Sequence, residues 1–194
     1  MKKILISYAS NAGSTAEIAQ RIASQMRSKD IRVDCKVFHQ AGDLDLYDGI
    51  VLGGPMMMGW HPAMMRFSIA NQAVLADKAV AIFITALTLT NTGETNFRGS
   101  SLFLDDTLAV FPRNPLRLGF KERRTSIASY LEPVFSVAPS LKPASIAFFG
   151  GKLDYGKLKF KQKLIAFLLI GAKAGDRRNW DAINNWTENL KNTL

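Results

Sequence analysis

Three hydroxyls surround one glycine in the stretch Tyr8-Ala9-Ser10-Asn11-Ala12-Gly13-Ser14-Thr15-Ala16-Glu17. Ser10, Ser14 and Thr15 can each donate a hydrogen bond to an anion, and Gly13 lets the backbone approach it closely. Where such a loop opens a helix, unpaired amides and the positive end of the helix dipole also favour a phosphate. The loop holds no lysine and no G-x-x-x-x-G-K-[ST], which disfavours a nucleoside triphosphatase. It also lacks G-x-G-x-x-G, which disfavours a dinucleotide site. A monophosphate held by residues Ser10, Asn11, Ala12, Gly13, Ser14 and Thr15 remains. An ordinary helix cap is the competing reading, because Ser14 and Glu17 stand at capping-box spacing. That reading leaves Ser10, Gly13 and Thr15 without a reason.

The elements that must carry this loop are legible as alternating strands and helices. Residues 2–8 read as a buried strand, and the apolar positions Ile18, Ala19, Ile22, Ala23 and Met26 recur at helical spacing from Thr15. Residues 31–38 alternate as a second strand, with Cys35 on the face of Val33 and Val37, where it reads as a small core thiol. A third strand spans residues 48–54 and ends in Gly53-Gly54-Pro55, followed by a helix over 62–75 with proline in its first turn. Residues 79–85 and 145–149 are continuously apolar, as strands buried on both faces should be. A last helix covers 179–190, with Trp180, Ile183, Trp186 and Leu190 roughly on one face. This alternation predicts one α/β domain over residues 1–194, a doubly wound parallel sheet with helices on both faces. Residues 86–144 are too long for a simple connection. A helix is expected there over 123–135, and a functional or mobile loop over 87–99.

Chain length and the 47% of hydrophobic residues fit a folded domain with a sizeable core. One cysteine excludes a disulfide framework, and two distant histidines make a metal site unexpected. The longest apolar run is the seven residues from Leu164 to Ile170, against about twenty for a bilayer span, and no signal peptide is read. The expectation is a cytoplasmic protein, at most peripheral at the inner face of a membrane.

Net charge is +9, and residues 110–178 carry 14 Lys/Arg against four Asp/Glu, while the remainder carries 11 against 12. The excess therefore lies in one region. It suits an anionic partner: acidic lipid, a carboxylated substrate or an acidic redox protein. No nucleic-acid motif accompanies it. A solvated basic face with no dedicated partner fits the same charge. The stretch 157–163 precedes the apolar run 164–170, so an interfacial element and a core helix with a basic lip both fit.

At this point the chain resembles a known family. The loop Ser10-Asn11-Ala12-Gly13-Ser14-Thr15 is similar to the flavodoxin phosphate loop, Ser/Thr-x-Thr-Gly-x-Thr, with Ala12 replacing a hydroxyl common there. Within flavodoxins the chain looks most like the menaquinone-dependent protoporphyrinogen oxidase (dehydrogenase) branch. Three stretches carry this: Gly53-Gly54-Pro55-Met56-Met57-Met58-Gly59-Trp60-His61, then Phe148-Phe149-Gly150-Gly151-Lys152-Leu153-Asp154-Tyr155, then Asn179-Trp180-Asp181. Residues 86–144 match the branch only in being long.

The resemblance implies a five-stranded sheet of order 2-1-3-4-5 and FMN as cofactor. It also implies that the flavin ring lies between two loops, Pro55–Trp60 and Thr85–Thr88. The ring-facing residues would be Pro55, Met56, Met57, Met58, Gly59 and Trp60 on one side, and Thr85, Ala86, Leu87 and Thr88 on the other. Gly150, Gly151, Lys152 and Asp154 would lie near the ring's edge. Methionines offer polarizable walls and Trp60 a stacking face, although both residue types equally serve as core filling. His61 is a candidate proton relay or a turn residue before proline, and Lys152 a candidate counter-charge or a solvated side chain. Neither ring loop contains Asp or Glu, which favours two-electron chemistry if the resemblance holds. Three functions follow: an FMN enzyme oxidising a reduced, protoporphyrinogen-like substrate with a quinone acceptor; a one-electron carrier; or an interaction module that has lost FMN. The oligomeric state is not legible.

Overall fold

The computed structural model describes residues 1–56, 59–153 and 175–194. In chain order the strands are β1 (Lys2–Tyr8), β2 (Ile31–Val37), β3 (Gly49–Pro55), β4 (Ala79–Ala86), β5 (Leu89–Thr90), β6 (Asn96–Phe97), β7 (Ser100–Leu104), β8 (Ala109–Val110), β9 (Ser145–Gly150), β10 (Lys152–Leu153) and β11 (Gly175–Asp176). The helices are α1 (Ser14–Met26), α2 (Pro62–Ala70), α3 (Gln72–Asp77), α4 (Phe120–Arg124), α5 (Ile127–Val137) and α6 (Trp180–Thr193). The main sheet runs β2-β1-β3-β4-β9-β7-β6, parallel throughout except for the antiparallel edge pair β6–β7.

Continuous apolar runs build this sheet because both of its faces are covered. Leu5, Ile50, Leu52, Ile82, Ile84 and Phe148 join one core with Met64 of α2 and with Leu131 and Val134 of α5. Ile4, Ile6, Val51, Phe83 and Phe149 join the other with Ile18 and Ile22 of α1 and Trp186 of α6. Trp186 packs edge-on against Phe83 and Phe149, and its Nε1 donates to Ser145 Oγ at 2.9 Å. Trp180 does not share that buried face. It is partly exposed and lies under the Arg178 guanidinium, 4.7 Å from the ring centre. Cys35 packs partly against the second core, and burial pushes its thiol up to about 11, so it is no nucleophile at neutral pH.

The strand order 2-1-3-4-5 holds as far as β9, which is the fifth strand of the sequence reading. The sheet then continues for two more strands that the five-stranded expectation lacked. Leu102 pairs with Ile146 and Phe103 with Ala147, so part of the long connection is an edge of the sheet. The stretch Ser100–Leu104 is short and follows turn residues, so its alternation is weak in sequence. Residues 87–99 are likewise not one loop, since they contain β5 and β6.

Two helix expectations are also corrected. The helix over 62–75 breaks at Asn71, whose Nδ2 donates to Phe67 O at 2.8 Å and competes with the helical backbone. The helix over 123–135 is two helices, and Ser126 starts the second by accepting from Ser129 N at 3.2 Å. The basic and apolar stretch 157–170 lies outside the described residues, as do Met57, Met58 and Asp154. Among the described residues, no helix is long and apolar enough to cross a membrane. None of their His, Cys, Asp and Glu side chains form a group of three or more able to hold a metal.

Candidate functional site

The carboxyl ends of β1, β3, β4 and β9 lie side by side, where a doubly wound sheet presents ligands. Backbone hydrogen bonds beyond the strands join the loops that leave them. Ala9 N donates to Gly53 O at 3.0 Å, Met56 N to Thr85 O at 2.8 Å, and Gly151 N to Ala86 O at 3.0 Å. The four loops are therefore extensions of the ladder, with little freedom to drift apart.

Gly13 is the N-cap of α1, at φ +96°, a left-handed backbone that a β-carbon disfavours. Its N–H donates to Ser10 Oγ at 3.0 Å, and its carbonyl accepts from Glu17 N at 3.0 Å. No side chain caps α1, so the capping-box reading of Ser14 and Glu17 is not realised. The first-turn amides are left for another acceptor. Thr15 Oγ1 meets Thr85 Oγ1 at 2.8 Å, both buried, which fastens the first turn of α1 to the end of β4.

A shallow cleft opens between these loops. Asn11, Ala12, Ser14 and Thr15 line it from the first loop, Pro55 and Met56 from β3, Thr85, Ala86 and Leu87 from β4, and Gly151 and Lys152 from β9 onward. Every one of these was named from the sequence, and their largely apolar character with a few polar groups suits the wall of a small-molecule site. Ser10, Gly13, Gly59, Trp60, Thr88 and Gly150 were named too but do not line the cleft. Ser10 and Gly13 shape the first loop from behind. Gly150 N donates to Asp105 Oδ2 at 3.3 Å.

Of the two readings of Trp60, the structure realises core packing and not stacking. Its indole is buried against α5, where Nε1 donates to the Tyr130 carbonyl. His61 is likewise a helix cap and not a cleft residue. Its Nδ1 accepts from Ala63 N at 3.2 Å, and burial, then Arg66, lowers its pKa and keeps the imidazole neutral. Lys152 is the one charged residue among the described lining, and it sits opposite Asp176 in the β10–β11 ribbon.

Four residues support the site without a signal strong enough to be read from sequence. Tyr130 holds both candidate ring loops from α5. Its hydroxyl donates to Thr88 O at 3.0 Å while its own carbonyl takes the Trp60 indole, and burial pushes its phenol well up. Asp105 is fully buried and accepts from Gly150 N, from Thr107 N at 3.0 Å and Oγ1 at 2.7 Å, and from Asn179 Nδ2 at 3.1 Å. Arg177 clasps the same corner, donating from N to Gly151 O at 3.1 Å and from its guanidinium to Leu87 O at 3.0 Å. Arg178 pairs with Glu17 and Asp176, with only 6% of its side chain exposed. Arg178 holds the Asp176 carboxyl below its usual range, while Asp176, then Glu17, raises the guanidinium. Glu17 Oε1 is 3.8 Å from where a Gly13 β-carbon would stand, so Arg178 offsets the carboxylate nearest the first loop.

A model of the flavodoxin domain family matches residues 5–178. No curated protein matches the chain. Among solved structures it is similar to oxidised flavodoxin 2 from Bacillus cereus, at 18% identity over 99% of each chain, with a TM-score of 0.52. It is similar to the apo form of an NADH:FMN oxidoreductase at 14% identity, covering 100% of this chain and 90% of that one, with a TM-score of 0.50. A mutant of Fusobacterium nucleatum flavodoxin bound to flavin mononucleotide matches at 21% identity over 45% of this chain and 52% of its own, with a TM-score of 0.36.

Proposed function

We propose that this chain, which belongs to the flavodoxin domain family, binds FMN in the cleft between α1, β3, β4 and β9 and works as an oxidoreductase. The observation that carries this is the side-chain-free cap of α1 at Gly13, opening onto a cleft with apolar walls. The residues fit the group in two respects. First-turn amides and Ser14 suit a dianionic monophosphate. Pro55, Met56, Ala86 and Leu87 suit a flat ring, and Gly151 leaves its edge open. A β-carbon on Gly151 would stand 3.7 Å from Ala86 O and 3.8 Å from Ser14 Oγ, at the mouth of the cleft.

When bound, FMN supplies the electron or hydride transfer. The chain supplies binding, orientation and electrostatics. Loop 10–15 fixes the phosphate end. The loops after β3 and β4, both anchored on Tyr130, set the spacing for the ring. Lys152 provides positive charge, and no carboxylate stands among the described lining residues. Negative charge arising on a reduced ring would meet attraction here and not repulsion.

The finer reading is a two-electron enzyme that oxidises a reduced, protoporphyrinogen-like substrate and passes electrons to a quinone. The stretches Gly53–His61, 148–155 and 179–181 support it, together with the lack of Asp and Glu in the loops Pro55–Trp60 and Thr85–Thr88. A carboxylate about 5 Å from a charge costs about 3 kcal/mol at a dielectric of 20, so its absence shifts a redox couple appreciably. The expected result of a reductive titration is a single two-electron wave, with rapid reoxidation by a menaquinone analogue. Two widely separated one-electron waves without quinone turnover would instead make the protein a one-electron carrier.

A further inference from the structure

Beyond the cleft, the long connection holds a second surface. Residues 110–124 leave and rejoin the fold at one place. Asn91 N donates to Val110 O at 3.1 Å, and Thr90 N donates to Thr125 O at 2.8 Å, with the two threonine hydroxyls also 2.8 Å apart. Both ends are thus pinned on β5 and the residue after it, and the chain between them is a closed strap. The stem follows Leu87 of the cleft by two residues.

The strap presents apolar side chains to solvent. Leu116 is 99% exposed, Phe111 71%, Phe120 63% and Val110 56%. Half of the exposed large hydrophobic side chains among the described residues lie here. A turn sets Leu116 outward, with Asn114 Oδ1 accepting from Leu116 N at 3.0 Å and Asn114 O from Arg117 N at 3.1 Å. Exposed apolar surface is thus concentrated within the eleven residues 110–120.

Cations are interleaved with these side chains: Arg113, Arg117, Lys121, Arg123 and Arg124. The strap's one carboxylate, Glu122, is engaged within the strap, accepting from Gly119 N at 2.6 Å. Arg124 lies 5.2 Å from the centre of the Phe120 ring. None of the five cations is in an ion pair among the described residues.

We infer that the strap of residues 110–124 docks the protein on an anionic lipid surface. Apolar side chains that project separately, with Lys and Arg between them, suit the headgroup boundary. There the cations meet anionic headgroups while the apolar tips enter the acyl edge. An acidic protein would satisfy the cations but would need a shaped pocket for a fully exposed leucine. A bilayer needs none. This inference does not depend on FMN.

The test is co-sedimentation of the purified full chain with phosphatidylcholine vesicles, with and without phosphatidylserine, at low and high salt. The expected result is binding to the serine-containing vesicles at least tenfold stronger than to phosphatidylcholine alone, weakened by salt. Phe111→Ser with Leu116→Ser and Phe120→Ser should lower it at least tenfold. Arg113→Gln and Arg117→Gln should each lower it about fivefold. All five side chains are exposed, so circular dichroism and thermal unfolding should stay as in the wild type and report intact folding. Failure of the wild type to bind anionic vesicles would overturn the inference in favour of a protein partner. Undiminished binding by the folded variants would overturn it by placing the attachment elsewhere.

Discussion

Gly13→Asp should abolish FMN binding while the protein still folds. The position is an N-cap at φ +96°, beside the first-turn amides of α1. A carboxylate placed about 4 Å from a phosphate costs about 4 kcal/mol at an effective dielectric of 20, equivalent to a loss of roughly a thousandfold. The left-handed backbone adds a strain of about 1 kcal/mol for any β-carbon. Glu17 Oε1, 3.8 Å from that β-carbon, adds further repulsion. Fluorescence titration of the apoprotein should show a dissociation constant raised at least a hundredfold, with circular dichroism unchanged. Gly13→Ala carries the strain without the charge and should lose no more than about tenfold. Stoichiometric FMN in the Asp variant would put the phosphate elsewhere.

Gly150→Ala should instead damage the fold. A β-carbon there would fall 1.9 Å from Arg177 O and 2.8 Å from Arg177 C. These are backbone atoms, so no rotamer relieves the overlap. Arg177 is held by Gly151 O and Leu87 O, and Gly150 N by Asp105, so neither side can yield without losing hydrogen bonds. The expected loss is about 3 kcal/mol or more, seen in urea as a lower midpoint with an unchanged slope. Gly151→Ala is the matched control. Its β-carbon would make only ordinary contacts, at 3.7–3.9 Å, so stability should stay nearly level while the cleft narrows. A Gly150→Ala midpoint equal to that of the wild type would mean that residues 175–178 do not pack against β9.

The contrast between these glycines shows which parts of the site the sequence can express. Residues that line the cleft sit at strand ends and in the first loop, where apolar runs stop at Gly, Pro or a hydroxyl. Alternation marks the strand ends, and the resemblance to flavodoxins assigns the loops after them to a ring. The residues that brace the cleft are different. Asp105 lies in the polar stretch Asp105-Asp106-Thr107, and nothing local distinguishes it from its exposed neighbour. Its importance comes from Gly150 and Asn179, which are distant in sequence. Tyr130 is one of two aromatics on an apolar helix, and its two contacts to the ring loops are tertiary. Trp60 and His61 each carry two readings in the sequence, and only tertiary contacts decide between them. Their types suit chemistry, but α5 covers the indole and the start of α2 engages the imidazole. The added edge strands β6 and β7 were hidden because short strands pairing on an existing edge need little periodicity of their own.

One flavin monophosphate should occupy the cleft of each chain. Release of the chromophore from purified protein by mild denaturation, with its mass and its ratio to protein measured, tests this directly. FMN should be recovered at close to one per chain, and the apoprotein should rebind FMN far more tightly than riboflavin, which lacks the phosphate. Recovery of FAD, or an apoprotein that binds riboflavin as tightly as FMN, would contradict it.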